Sequence, residues 1–423
     1  MKKNINKLVA FAIGISVMTG SIMPVFAADT DQNVGTSVKQ NTNNVIYEQN
    51  QVKQNPVLTL KQAIDAAINN SDKLALKSKE IKLYENKADI QDELDDFQDN
   101  DDDFPYDKLE LKVKQTKEQK EYMEDQIAED ITNKYNNLVT MQNTLIKLKK
   151  QIEIKKKENE YIQFKKSIGM STTIDIKKAE IDFQKLINSE KAQQDQLKNA
   201  QYYFRIITEK DVNNYVLEQN QEYKEFRIKG SLDEYFDKVV DKYYKYDKKL
   251  LDMTKDNLVD NDVDKPDSHD KFDKADFKKT VENADGTASE EYDSAGYEAA
   301  QKAYVQEWND YGTYLQNKYN LSSSKVSLEE NKKNLKKGLK ESYVSLISME
   351  NDINVAKSNT DVKNKELGIA KFKYDEGLIT KITYDNQVLD YEDLETNLRN
   401  SVNSYNKLKN QIQKPWLLSG SAS

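Results

Sequence analysis

Five acidic side chains between residues 99 and 110 have the spacing of a calcium-binding loop. Positions 1, 3, 5, 9 and 12 of an EF-hand pattern are occupied by Asp99, Asp101, Asp103, Asp107 and Glu110. Position 6, where the sharp turn of such a loop requires glycine, holds Phe104. We therefore favour an acidic loop in solvent and keep a weak Ca²⁺ site as the alternative, so the sequence predicts no firm metal site.

The remaining reactive side chains do not have the spacing of a catalytic centre. His269 is the only histidine and lies in a polar stretch, which favours a solvated loop residue over a catalytic or metal-binding one. Glycine-rich phosphate loops and the HExxH and GxSxG patterns are absent from the sequence. Tyr243, Tyr244 and Tyr246 form a cluster that favours packing, with a ligand site as the alternative. We predict that the protein is not an enzyme and needs no cofactor.

The composition favours thin helical rods and disfavours nucleic-acid binding. Charged residues make up 32% of the chain, the net charge is -9 and the mean hydropathy is -0.90, as expected for coiled coils that keep most of their surface in water. The basic run KLKKQIEIKKKENE at 147–160 lacks interleaved aromatic residues that would stack on bases. A solvated helix face is favoured there over a phosphate-binding patch, and we expect no nucleic-acid partner.

The first 27 residues have the pattern of a secretory signal. A basic start is followed by an apolar middle and by small residues at Val25 and Ala27, which predicts cleavage after Ala27. An uncleaved anchor is the alternative. A second apolar run of the roughly 18 to 20 residues needed to span a bilayer is absent, so we expect no membrane-spanning segment after cleavage. The mature chain is predicted to be secreted and to contain no disulfide, since it has no cysteine.

Two stretches of the chain, 208 residues apart, carry the same apolar heptad. The first has Ile127, Ile131, Tyr135, Leu138, Met141, Leu145 and Leu148, and the second has Leu335, Leu339, Tyr343, Leu346, Met349, Ile353 and Ala356. Steps of three and four residues place these side chains on one narrow stripe, which is typical of a coiled-coil seam. The residues expected to form the oligomer or packing seam are Ile131, Leu138, Leu145, Leu339, Leu346 and Ile353. The self-similarity predicts two tandem repeats.

A glycine ends each heptad helix. Gly169 and Gly377 are followed by Thr172 and Thr380 at the same offset, and a second helical pattern begins there. Glycine suits the left-handed residue that closes a helix, and threonine suits the N-cap that opens the next one. The sequence therefore predicts two antiparallel helical hairpins, the first with an incoming helix at about 107–166 that is about 90 Å long.

The opening helices of the two halves set the predicted boundaries. LTLKQAIDAAINNS and GSLDEYFDKVVDKYY align at an offset of 172, which is smaller than 208, so the second half holds about 36 extra residues in a polar stretch at about 255–300. That stretch is predicted to be a solvent-exposed loop. The predicted organisation is a signal peptide at 1–27, a disordered leader at 28–56, a first hairpin repeat at 57–210, a linker at 211–230, a second repeat at 231–414 and a flexible tail at 415–423.

The order of these parts resembles the outer-membrane efflux protein family, the TolC-like exit ducts of type I secretion and multidrug efflux. The opening LTLKQAIDAAINNS is similar to the family's LTL-x-x-A-I-x-x-A-L-x-x-N start, and the tips KKSIGMSTTIDIKKAE and YDEGLITKITYDNQVLDYE are similar to its Y-x-x-G-x-x-x-x-x-D-(V/L)-x-x-A hairpin. Tyr384 and Gln387 depart from that pattern. The resemblance covers most of 57–414 and implies an all-α protomer of long antiparallel coiled-coil hairpins.

In that family each half supplies one hairpin to a trimeric tunnel, and strands opposite the tips complete an outer-membrane barrel. Neither connection of this chain offers the roughly 9 to 11 residues with lipid-facing alternation that a membrane strand needs, so we expect no transmembrane β-barrel. The Lys-, Asn-, Asp- and Tyr-rich composition suits an AT-rich genome. Together these observations favour the extracytoplasmic cell envelope of a monoderm bacterium.

The resemblance implies a homo-oligomer, a trimer, whose tips dock a membrane-fusion or adaptor protein of an export system. The expected docking residues are Ile168, Gly169, Met170, Gly377, Leu378 and Ile379. The alternative at the tips is that these apolar residues cap their own hairpins. The alternative for the whole chain is a non-conducting extracellular coiled-coil scaffold or spacer.

Overall fold

The computed structural model describes residues 55–219, 221–267, 273–282 and 286–418. The predicted signal peptide, the leader up to residue 54, His269 and the tail from residue 419 lie outside the described residues. In the described part of the chain, no helix combines the length and the apolarity needed to cross a lipid bilayer.

Long α-helices make up most of the described residues. They are α1 (Leu60–Asn69), α2 (Asp72–Gln98), α3 (Phe104–Ser167), α4 (Thr173–Thr208), α5 (Leu232–Tyr243), α6 (Lys245–Asp260), α7 (Ser294–Asp375) and α8 (Lys381–Gln413). Two short strands, β1 (Val57–Leu58) and β2 (Val216–Leu217), pair in parallel, and β3 (Lys278–Glu282) pairs antiparallel with β4 (Ala288–Tyr292). The predicted all-α fold of long hairpins is confirmed, with 64 residues in α3 and 82 in α7.

The chain divides into two compact units, which we describe separately. The hairpin unit contains residues 55–84, 113–240 and 336–418, and the connector unit contains residues 85–112 and 241–335. Both glycine tips belong to the hairpin unit. The polar insertion belongs to the connector unit.

The core of the first half of the hairpin unit forms where α1, α3 and α4 meet the strand pair. Thr59 caps the start of α1 through a capping box. Ala63 and Ala67 form the buried face of that helix. The fully buried side chains around them include Ile131 and Tyr135 from α3 and Phe204 from α4. The side chains of the first apolar heptad therefore pack against other parts of the same chain.

Burial changes the predicted role of the heptad seam. Ile131, Leu138, Leu339, Leu346 and Ile353 are each at most 1% exposed in a single chain, while Leu145 is half-buried. The prediction of a packing seam agrees with this burial. The suggestion that the same residues carry oligomer contacts is wrong for the five buried ones, because their surface is already covered by the chain itself.

The two ends of the predicted hairpin region are more ordered than the sequence suggested. Trp416 lies in a buried 3-10 turn at Pro415–Leu417 and stacks on Tyr122 with ring centroids 4.1 Å apart. Its Nε1 donates to Asp125 Oδ2 at 2.9 Å. The predicted flexible tail is therefore wrong for residues 415–417. At the other end, the last leader residue, Pro56, accepts a hydrogen bond from the Val216 amide at 3.0 Å.

The polar insertion in the connector unit is more regular than a loop. Helix α6 continues to Asp260, β3 and β4 form a hairpin with mostly exposed side chains, and α7 already begins at Ser294. Lys278 pairs with Glu290 across the two strands at 3.1 Å. The prediction of an irregular loop at about 255–300 is wrong for these segments, because alternating Lys, Thr and Glu side chains can pair across strands even without an apolar face.

We expect opposite effects from glycine-to-alanine changes at a tip and within a helix. Gly377 has φ +71°, so Gly377→Ala should lower the free energy of unfolding by about 1 kcal/mol because a Cβ disfavours that conformation. Gly368 lies in α7 with open space around its Cα, so Gly368→Ala should raise that free energy by about 0.5 to 1 kcal/mol. Denaturant unfolding followed by circular dichroism measures both. Shifts of the same sign would contradict the assigned conformations.

Candidate functional site

The two hairpin tips have the same backbone conformation. Gly169 and Gly377 have φ of +77° and +71°. The Gly169 amide donates to Lys166 O at 3.0 Å and the Met170 amide to Lys165 O at 2.8 Å; the Gly377 and Leu378 amides make the equivalent bonds at 2.9 and 2.7 Å. This pair of bonds is the Schellman motif, which closes the incoming helix and turns the chain back.

A threonine begins the outgoing helix at each tip. Thr172 accepts a hydrogen bond from the Asp175 amide at 3.1 Å, and Thr380 accepts one from the Thr383 amide at 3.2 Å. In the first tip the Asp175 carboxylate also receives bonds from the Thr172 amide and hydroxyl, which lower the pKa of Asp175. Both predicted N-caps are therefore in place, and they fix the exit direction of α4 and α8.

Most of the apolar tip residues are exposed. Ile168, Met170 and Leu378 expose 53%, 70% and 69% of their surface, and both tip glycines are exposed, whereas Ile379 is half-buried. The alternative that these residues cap their own hairpins therefore applies to Ile379 alone. The other three offer apolar surface at the end of each hairpin.

The second tip is stiffened by aromatic contacts. Tyr374 on α7 and Tyr384 on α8 stack with ring centroids 5.4 Å apart and an interplanar angle of 12°. Lys381 lies over both rings and forms an ion pair with Asp385. Tyr384 departs from the family pattern, and this stack gives that departure a structural role.

Helices α3 and α8 run antiparallel and bring the tips to the same end of the hairpin unit. Their contacts include the ion pairs Lys147 with Asp393 and Lys150 with Glu392, and Thr140 donates to Asn400 Oδ1 at 3.2 Å. Farther from the tips, Asn410 donates to Glu129 Oε2 at 3.0 Å and Lys414 to Asp125 Oδ1 at 2.5 Å. In each pair the two residue numbers add to about 540, so the numbers rise along one helix as they fall along the other, as expected for antiparallel helices. Since α3 ends at one tip and α8 starts at the other, both tips point in the same direction.

A tyrosine of the first heptad ties the extended segments to α3. The Tyr135 hydroxyl donates to Leu58 O at 2.5 Å and accepts from the Glu218 amide at 2.6 Å, which joins the ends of β1 and β2. Burial raises the pKa of Tyr135, so the hydroxyl stays protonated and can serve as both donor and acceptor.

The equivalent tyrosine of the second heptad makes the same kind of contact. Tyr343 accepts from the Ile228 amide at 3.3 Å, and Tyr405 on α8 accepts from the Phe226 amide at 2.8 Å. Arg227 pairs with the Glu350 carboxylate, which is 1% exposed. The predicted linker at 211–230 is thus held against the helices by side chains of the second half.

These anchoring residues were missed by the sequence analysis as functional positions. Tyr135 and Tyr343 were assigned to the heptad because their rings fit an apolar stripe. Tyrosine at the same place in both stripes, where aliphatic residues fill most neighbouring positions, was the available signal, because a buried hydroxyl requires a partner.

The structure does not support the two weaker candidate sites. Among the described residues no group of three or more His, Cys, Asp or Glu side chains is placed to hold a metal ion, and Asp99, Asp101, Asp103, Asp107 and Glu110 are not brought together in such a group. Asp99 follows α2, whereas Asp107 and Glu110 lie on α3. Tyr244 of the tyrosine cluster is 5% exposed and packs edge-on against Tyr243, which agrees with a packing role.

Comparisons with known proteins identify the fold. No family model matches the chain, and neither does any curated protein sequence. Among solved structures, CusC, a protein that forms a transmembrane channel, matches with a TM-score of 0.52 at 12% identity over 89% of this chain and 95% of its own. The outer membrane protein VceC of Vibrio cholerae matches with a TM-score of 0.52 at 9% identity over 84% and 96%. A membrane protein from Pseudomonas aeruginosa matches with 0.50 at 11% identity over 85% and 92%.

These matches span nearly the full length of the compared chains. Their sequence identities are low, so they show that the fold is shared and nothing more. The fold expected from the opening helix and the two tips, a TolC-like helical protomer, is therefore confirmed.

Removing the Tyr135 hydroxyl should destabilise the hairpin unit. Tyr135→Phe removes the hydroxyl shared by the Leu58 carbonyl and the Glu218 amide and leaves them only the bond of 3.4 Å that they make with each other, which should lower the free energy of unfolding by about 1 kcal/mol. Tyr161→Phe is the matched control, since Tyr161 is 54% exposed, and should change it by less than about 0.5 kcal/mol. Urea unfolding measures both variants. Equal shifts would show that the hydroxyl contributes nothing to the anchor.

Proposed function

We propose that this chain is a divergent member of the outer-membrane efflux protein family and a non-enzymatic subunit of an export or efflux conduit in the bacterial cell envelope. The fold shared with CusC and VceC supports this assignment, and so do the family-like opening helix and tips. A conduit works through the packing of its helices around a channel and needs no catalytic group.

The observation that carries the proposal is the pair of aligned tips. Both tips end in exposed apolar side chains, and the antiparallel contact of α3 with α8 directs them to the same end. Exposed apolar residues grouped in this way are typical of a protein interaction surface. We propose that they dock end-on to the membrane-fusion or adaptor protein of an export system.

A conduit requires several copies of the chain. One copy supplies four long helices, α3, α4, α7 and α8, and a closed tunnel needs more. We propose the trimer that the family resemblance implies. Secretion of the mature chain and its place in a monoderm envelope stay predictions from the leader and the composition.

Substitutions at the tips test the docking. Leu378→Asp and Met170→Asp should abolish adaptor recovery after cross-linking in cells, because a carboxylate placed in an apolar contact must be desolvated. Leu76→Asp is the matched control, since Leu76 is 68% exposed on α2, and should retain recovery. Quantitative mass spectrometry of the cross-linked product gives the readout, and we expect a loss of at least tenfold.

The alternative of a non-conducting scaffold makes different predictions. If adaptor recovery is unchanged in the tip variants, the docking role is wrong. If the purified chain is in addition a monomer or an extended dimer by light scattering, the scaffold is the better account.

A further inference from the structure

Helix α7 begins with a segment that has no equivalent in α3. At the offset of 208 that relates the tips, the first residue of α3, Phe104, corresponds to Gly312, whereas α7 begins at Ser294. The additional residues, 294–311, belong to the connector unit. They include four aromatic side chains, Tyr297, Tyr304, Trp308 and Tyr311. Since α3 builds its hairpin without such a segment, the duplicated architecture does not explain these aromatic residues.

The three tyrosines of this segment repeat every seven residues. Tyr297, Tyr304 and Tyr311 therefore follow one side of α7 in steps of about 10.5 Å. Trp308 packs edge-on against the last two, with its ring centroid 6.3 Å from each of theirs. Phe277, just before β3, packs edge-on against Tyr297 with the centroids 5.3 Å apart. All three tyrosines are half-buried, so their neighbours hold the rings in place and part of each ring stays accessible.

A cavity of about 880 Å³ lies beside Tyr297 and Tyr304. The other described residues that line it are exposed, and they are Glu298, Gln301, Lys302, Val305 and Gln306. Aromatic rings combined with a few polar side chains in a concave surface are typical of a ligand-binding site.

The two amide side chains at this cavity are oriented by hydrogen bonds. Gln301 Nε2 donates to the Tyr297 hydroxyl at 3.1 Å, and Gln306 Nε2 donates to Asp310 Oδ1 at 2.8 Å. Asp310 is 7% exposed, which makes it a fixed partner. Both bonds use an amide nitrogen, so the amide oxygens can accept hydrogen bonds from a ligand.

The charge and polarity of the cavity favour a neutral ligand with many hydroxyl groups. Among its described lining residues, Glu298 and Lys302 contribute one charge of each sign, which does not favour a polyanion. Val305 is the only aliphatic side chain in that set, which is too little apolar surface for a lipid chain. Sugars suit this combination, because their C–H faces pack on aromatic rings and their hydroxyls bond to amide and charged groups.

We infer that this segment of α7 binds an extended β-1,4-linked, N-acetylated glycan strand of the cell wall. In such a strand, equivalent sugar faces recur with each disaccharide, at about the spacing of Tyr297 and Tyr304. An acetamido N–H can donate to Gln301 Oε1 while its methyl group packs on Val305, which is 57% exposed. The site goes beyond the proposed conduit and shares no residue with the tips. It would retain the secreted chain at the wall.

Calorimetric titration of the purified full chain with chito-oligosaccharides, which are β-1,4-linked N-acetylglucosamine oligomers, tests the site. The hexasaccharide should bind saturably and about tenfold more tightly than the disaccharide, because the longer ligand reaches both Tyr297 and Tyr304. Maltohexaose, an α-1,4-linked glucose oligomer, should give no saturable heat.

Variants locate the bound glycan on α7. Tyr304→Ala should weaken hexasaccharide binding about tenfold, whereas Tyr304→Phe keeps the ring and should stay within about threefold of the wild type. Gln301→Ala changes an exposed side chain, so the fold is retained, and it should weaken binding about threefold. Tyr319→Ala is the matched control, since Tyr319 is 68% exposed farther along α7, and should leave the affinity unchanged.

Three results would overturn the inference. They are no saturable binding of the hexasaccharide, equal binding of maltohexaose, and an affinity that is unchanged in both Tyr304→Ala and Gln301→Ala. Co-sedimentation with purified peptidoglycan tests the cell wall as the source: the wild-type chain should sediment and the Tyr304→Ala variant should stay in the supernatant. A wild-type chain that stays in the supernatant would contradict retention at the wall. These measurements need no oligomer and no adaptor, so their failure is distinguishable from failure of the conduit.

Discussion

The antiparallel contact between α3 and α8 determines how the hairpin unit is organised. It joins helices from opposite ends of the chain through ion pairs and amide hydrogen bonds from Asp125 near one end to Lys150 nearer the tips. Exposed ion pairs contribute little energy each, so most of the stability of these helices comes from their buried apolar residues, such as Leu138 and Leu398. The polar pairs instead set the register, because a shift by one turn would break all of them together. This register places both tips at the same end.

Tyrosine hydroxyls connect this helical frame to the extended segments. Tyr135 holds β1 and β2, and Tyr343 and Tyr405 hold the segment around residues 226–228. The short pairing of β1 with β2 satisfies only some of the amides and carbonyls of the extended segments, so side chains must satisfy others where water is excluded. The ring packs into the heptad stripe while the hydroxyl serves the backbone. One residue type thereby meets two requirements at the same position.

The sequence predicted the features that depend on residues close together in the chain, such as the turns and the helix caps. Gly169 and Gly377 were assigned to tips because few other residues adopt positive φ, and Thr172 and Thr380 because an N-cap needs a short side chain with an oxygen. Partners distant in sequence were not predictable in this way. Glu350 gave no sign that it would be buried with Arg227, and Trp416 lay in a segment that resembled a tail. The heptad predicted buried stripes, but it did not reveal that one chain covers them while Val355 and Val362 stay open.

A distance measurement between the tips tests the register most directly. Spin labels at Met170 and Leu378, diluted with unlabelled chain, report the separation of the tips, while labels at Met170 and Lys407 report the length of the hairpin from the tip. By the α3 to α8 register, Lys407 lies near the level of residue 133, about 36 residues or about 55 Å from the first tip. We expect the separation of the tips to be less than half of that length in pulsed electron paramagnetic resonance. A tip separation equal to or longer than the distance from Met170 to Lys407 would contradict the shared direction of the hairpins.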